Sequence, residues 1–114
     1  GTNFPVADRV VDRTLVSTKS LDIAAQSYQN PSKLRSMLNK YVNDLKNFER
    51  KYFNENGELK WGNGRTLLQE DYDKKALEVV LPNTIITEDI LTELNLFKRE
   101  MDEVGIEIWY RITK

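Results

Sequence analysis

The spacing of apolar residues changes character along the chain, and each change predicts an element. From Arg9 to Ile23, Val, Leu, Thr and Ile recur without a helical period. The stretch Val10-Val11-Asp12-Arg13-Thr14 is long enough to reverse the chain, which predicts two short strands joined as a hairpin. Asn30 before Pro31 is an N-cap with proline at the first helical position. Leu34, Met37, Leu38, Tyr41, Leu45, Phe48 and Tyr52 then follow at spacings of three and four, so an amphipathic helix is expected from Pro31 to about Phe53. Glycines 57, 62 and 64 interrupt regular structure around Glu58-Leu59-Lys60-Trp61, where a loop or short hairpin is expected. Lys75 to Leu81 predicts a strand stopped by Pro82, and its unbroken apolar end implies burial on both faces, as in the interior of a sheet. Thr87 can cap a second helix with Glu88 and Asp89 in its first turn. Leu91, Leu94, Phe97, Met101 and Val104 form its expected apolar stripe, and Gly105 its left-handed stop. Ile106 to Ile112 alternates as a final strand.

The order strand, strand, helix, strand, helix, strand predicts an α/β domain. Parallel neighbours need a crossover long enough to hold a helix, so the sheet should be mixed, with about four strands, an N-terminal hairpin and two packed helices. The 114 residues suffice for one domain with its own core, and no internal repeat divides them. No run of eighteen apolar residues occurs, and the start shows neither a basic-then-apolar leader nor a small-residue cleavage site. No membrane contact by the domain itself is expected.

Composition narrows the chemistry more than the fold. Cysteine and histidine are both absent, which removes structural zinc sites, thiol nucleophiles, redox pairs, histidine bases and Ser-His-Asp triads. Carboxylates, lysines, hydroxyls and tyrosines remain, a set suited to Mg²⁺ or another hard divalent cation with oxygen ligands. The net charge of −1 conceals an asymmetry, because residues 1–60 carry +3 and residues 61–114 carry −4. The basic excess is densest between Pro31 and Phe53, where Lys33, Arg35, Lys40, Lys46, Arg50 and Lys51 face only Asp44 and Glu49. Such a run is either the solvated side of a helix or a surface for phosphates, with Lys33, Arg35 and Lys40 as the expected nucleic-acid contacts.

In Leu15-Val16-Ser17-Thr18-Lys19-Ser20-Leu21 the two-residue side-chain period of a strand puts Ser17 and Lys19 on one face. Asp8 and Asp12 precede them on the other arm of the expected hairpin. A carboxylate, a second oxygen donor and a lysine gathered at a sheet are the parts that metal-assisted phosphodiester cleavage requires: the carboxylate holds the metal, and the lysine offsets charge developing on the phosphate. The same residues also make an ordinary polar hairpin.

Phe4-Pro5-Val6-Ala7-Asp8, Ser17-Thr18-Lys19-Ser20-Leu21-Asp22 and Ser27-Tyr28-Gln29-Asn30 together resemble the C-terminal toxin domains of large secreted polymorphic toxins. These include contact-dependent growth inhibition effectors and fall in the PD-(D/E)XK nuclease superfamily. The resemblance runs over essentially the whole chain. It implies that Asp8 is the metal-binding aspartate, that Ser17 stands where the motif usually has Glu or Asp, and that Lys19 is the motif lysine. A hydroxyl is a weaker ligand than a carboxylate, so another acid is expected. In the superfamily it often comes from a helix before the first strand, which is expected to be missing here, either trimmed away or absent from a catalytically incomplete chain; Asp12 and Asp22 are the local substitutes, Asp22 on the opposite strand face from Ser17 and Lys19. The implied function is a metal-dependent nuclease, secreted within a larger toxin and delivered to the cytoplasm of a competing bacterium. There it would cut DNA or RNA, with tRNA among the possible substrates, while a cognate immunity protein protects the producer. The other reading is a non-catalytic module whose basic helix binds nucleic acid or an acidic protein.

Overall fold

A computed structural model of the chain describes residues 9–21, 30–60, 64–82 and 86–112. The expected hairpin is present as β1 (Arg9–Val11) and β2 (Thr14–Ser20), paired antiparallel with Val11 opposite Thr14. Asp12 and Arg13 make the turn, both with left-handed φ, at 49° and 61°. Two such residues in succession match the twist of the flanking strands. Arg13 is tied down by its Nε to Asp73 at 3.2 Å and its Nη2 to the Glu70 carbonyl at 2.9 Å.

Helix α1 (Pro31–Lys46) begins as expected, the Asn30 side chain accepting from the Ser32 N–H at 2.9 Å. It does not run on to Phe53. Asn47 separates it from a short α2 (Phe48–Tyr52), and the physical reason lies at the break. The Asn47 side chain donates to the Asn43 carbonyl at 2.9 Å, and the Lys75 ammonium takes the carbonyls of Leu45 and Lys46 at 2.9 and 3.3 Å. The Asn43 carbonyl keeps its bond from the Asn47 N–H at 3.1 Å, but Lys75 draws off the Leu45 and Lys46 carbonyls that a continuous helix would need for its next turn.

Of the two options left by the glycines, the structure has the hairpin: β3 (Glu58–Lys60) pairs antiparallel with β4 (Thr66–Leu68) as a separate two-stranded sheet. A 3-10 turn at Gln69–Asp71 leads into β5 (Lys74–Leu81), followed by α3 (Glu88–Glu103) and β6 (Ile106–Ile112). The main sheet has the order β1-β2-β5-β6, with β2, β5 and β6 parallel to one another and β1 antiparallel. It is the mixed four-stranded α/β sheet the pattern predicted. Helices α1 and α3 are the crossovers, and their buried residues Leu34, Leu38, Leu94 and Phe97 share one core with Leu15, Leu77, Val79 and Ile108 of the sheet. Strand β5 is central, and its last six residues are all buried.

The stripe of α3 differs from expectation at two positions. Ile90, Leu94 and Phe97 are buried and Met101 is half-buried, whereas Leu91 and Val104 are 48% and 55% exposed. Leu91 lies about 100° round the helix from Ile90, and Val104 follows the last helical turn as its cap.

Candidate active site on the second strand

Strand alternation sets Leu15, Ser17 and Lys19 on the sheet face that the helices cover, and the parallel register places Ser17 beside Leu77 and Lys19 beside Val79. Ser17 is 1% exposed, and its Oγ has no hydrogen-bond partner among the described residues. A buried hydroxyl left unpaired among apolar side chains costs about 1–3 kcal/mol, so an orphan of this kind marks strain, the place of a bound water or ion, or use. Lys19 is half-buried, and its Nζ lies over the Tyr41 ring of α1, 5.8 Å from the centroid. The two described members of the expected triad are therefore neighbours on one face. Asp8 and Asp22 lie outside the described residues. Asp12 belongs to the hairpin turn, beyond Thr14, which is itself three residues or about 10 Å of strand from Ser17, and it does not reach Ser17 as a ligand.

The donor set can be tested against a hard cation. Ser17 offers an uncommitted oxygen, and no group of three His, Cys, Asp or Glu side chains that could hold a metal occurs among the described residues. The buried acid nearest along the sheet is Glu78, which sequence reasoning did not single out although it interrupts an apolar run. Its register partner is Thr18, so it belongs to the opposite sheet face from Ser17 and Lys19. There it is already engaged: it accepts from Thr18 Oγ1 at 2.9 Å and is paired with Arg9 at 3.4 Å and Arg111 at 3.8 Å. The described residues therefore offer the Ser17 hydroxyl but no carboxylate set that could hold a cation with it.

The basic helix divides into two flanks. Lys33 and Lys40 are exposed, and seven residues apart they share a side of α1 that borders Met37 and Tyr41, the side towards Lys19. Two residues from Lys33 is about 200° of rotation, and Arg35 accordingly faces α3. Its Nη1 pairs with Glu93 at 2.9 Å, its Nη2 with Glu100 at 2.7 Å, and its guanidinium stacks 5.1 Å from the Phe97 centroid. The Glu100 hydrogen bond, with help from Glu93, outweighs burial and raises its pKa further above the ordinary arginine value. Arg35 joins two helices and is not grouped with Lys33 and Lys40.

A second polar cluster sits at the other end of the sheet. Lys75 donates to Glu49 at 2.8 Å, and the Tyr72 hydroxyl donates to the same carboxylate. Burial alone would raise the Glu49 pKa, but hydrogen bonds from Lys75 and Tyr72 prevail and hold it below the ordinary value. Burial, followed by its hydrogen bond to Glu49 and then the Glu49 charge, pushes the Tyr72 phenol up.

The family model for the CDI toxin restriction endonuclease-like domain matches residues 1–111. Among solved structures, the chain is similar to one from the CdiA-CT/CdiI toxin and immunity complex of Yersinia pseudotuberculosis. The two share 22% identity over 100% of this chain and 86% of that one, with a TM-score of 0.67. At that identity the likeness speaks for the fold. No curated protein matches. A family match that spans nearly every residue, together with the mixed sheet and its crossovers, leads to the conclusion that this chain belongs to the CDI toxin restriction endonuclease-like domains.

Proposed function

We propose that the domain is a metal-dependent endonuclease that hydrolyses phosphodiester bonds in DNA or RNA of a competing bacterium. The observation that carries this reading is the unpartnered, buried Ser17 Oγ beside Lys19 on one strand face. Lys19 offsets negative charge developing on the scissile phosphate, and Ser17 supplies a neutral oxygen. Asp8 is the carboxylate that holds the metal. Mg²⁺ or a similar ion, when bound, lowers the pKa of a water and neutralises phosphate charge. Lys33 and Lys40, on the flank of α1 nearest Lys19, attract the polyanion.

The domain acts as the terminal part of a larger secreted toxin, delivered into the target cell, and a cognate immunity protein blocks it in the producer. The family and the toxin and immunity complex that shares the fold support this view. The test is cleavage of plasmid DNA and of bulk tRNA with a panel of divalent cations. Cleavage should require the cation, stop with chelator, and fall at least about a hundredfold in Asp8→Ala and Lys19→Ala. Cleavage that survives chelation, or full activity in both variants, would overturn the reading.

A further inference from the structure

Lys19 poses a problem of positioning. Its ammonium sits at the end of four rotatable bonds, and a lysine that neutralises a phosphate only in the transition state must already be aimed. The usual device is a carboxylate, but among the described residues Lys19 has no acidic partner in an ion pair. A carboxylate would also cancel the charge the phosphate needs. The face of an aromatic ring attracts a cation through its quadrupole without neutralising it. Tyr41 supplies such a face 5.8 Å from the Lys19 Nζ. Its own place is fixed, because the flanking Leu38, Val42 and Leu45 lock α1 to the sheet and Tyr41 packs half-buried against the same core.

We infer that Tyr41 is a positioning residue, which holds the Lys19 ammonium over the site beside Ser17 by a cation–π contact and leaves its charge free for phosphate. The catalytic part of this inference rests on the nuclease reading above; the contact itself does not. Two measurements on Tyr41→Phe and Tyr41→Leu test it. In protein labelled with carbon-13 at lysine Cε, the Lys19 signal, assigned by its loss in Lys19→Ala, should be displaced by the ring current. It should stay displaced in Tyr41→Phe and return to the position of the other lysines in Tyr41→Leu. In steady-state cleavage, Tyr41→Leu should lower kcat about tenfold with KM little changed, and Tyr41→Phe should stay within about twofold of the unaltered protein. Phenylalanine keeps the packing of the ring as well as its face, so a general packing defect is told apart by the Lys19 signal and by a change confined to kcat. An undisplaced Lys19 signal in the unaltered protein, equal kcat in Tyr41→Leu, or failure of phenylalanine to rescue would each overturn the inference. If the unaltered protein cuts nothing with any cation, the nuclease reading falls and the NMR comparison still decides the contact.

Discussion

Arg35 and Lys40 lie on the same helix and carry the same charge, yet they have different work. Arg35 spends its guanidinium on Glu93, Glu100 and the Phe97 ring, whereas Lys40 faces solvent on the side of Tyr41. Removal of a half-buried, stacked and doubly paired arginine leaves two carboxylates short of a partner. Arg35→Ala should therefore cost about 1–2 kcal/mol in chemical denaturation and leave the salt dependence of nucleic-acid binding unchanged. Lys33→Ala combined with Lys40→Ala should barely alter stability and should reduce the slope of log affinity against log salt by about two units. A slope that moved with Arg35 instead would reverse the two roles. The density of basic residues was legible in the sequence, and so was the rotation separating Arg35 from its neighbours. Which flank would meet an acidic helix was not, because that depends on where α3 lands. Ser17 shows the same limit: its shared face with Lys19 follows from a period of two, but its orphaned hydroxyl exists only because the helices close over it.

At the scale of elements, caps and breakers were read most securely. Asn30 with Pro31 and Thr87 both cap as expected, the latter accepting from the Ile90 N–H at 3.3 Å, since a cap is decided by two or three adjacent residues. The break at Asn47 could not be read, since its cause is a lysine 28 positions later in β5 that takes two carbonyls from the end of α1. Lys75 thereby pins helix, strand and Glu49 together. Lys75→Met should cost about 2 kcal/mol, because it strands the Glu49 carboxylate and two carbonyls at once. Glu49 also sets an acid sensitivity. Its folded pKa lies below its ordinary value of 4.5, so the stability from its ionised form is fully present above that value and is lost as pH falls through the lower, folded one. Glu49→Gln should be less stable than the unaltered protein near neutrality, and the gap should close as pH falls well below 4.5. An equal gap at both pH values would show that the carboxylate charge plays no part.

Across the whole molecule, charge is sorted by position on the sheet. The open flank of α1 lies over the β1-β2 side and is basic; α3 lies over the β6 side and exposes Glu88, Asp89, Asp102 and Glu103. An inhibitor gains most by covering the surface that a substrate would meet, so the proposed immunity protein should present acidic groups to Lys33 and Lys40. Reversal of those two lysines to Glu should slow its association at low salt, with the effect fading at high salt. Reversal at Asp102 and Glu103 should not; a loss confined to that second variant would place the partner on α3. Glu93 and Glu100 are unsuitable for this comparison, since their reversal would break the Arg35 bridge rather than probe a surface.

The parallel pairing of β2 with β5 also governs when in its life the protein can act. Thr18 and Glu78, side by side in the sheet, are 60 residues apart along the chain. The hairpin that carries Ser17 and Lys19 can close locally and early, but the strand beside it arrives only after α1, α2 and the β3–β4 hairpin have been threaded between. Long-range parallel contacts of this kind form late, because the loop must be closed before any of its pairings returns free energy. Until then Ser17 has no Leu77 beside it and Lys19 no firmly docked Tyr41. A chain that is still extended, or only half assembled, holds every residue of the proposed site and none of its geometry, so the proposed activity has to wait for the fold to close.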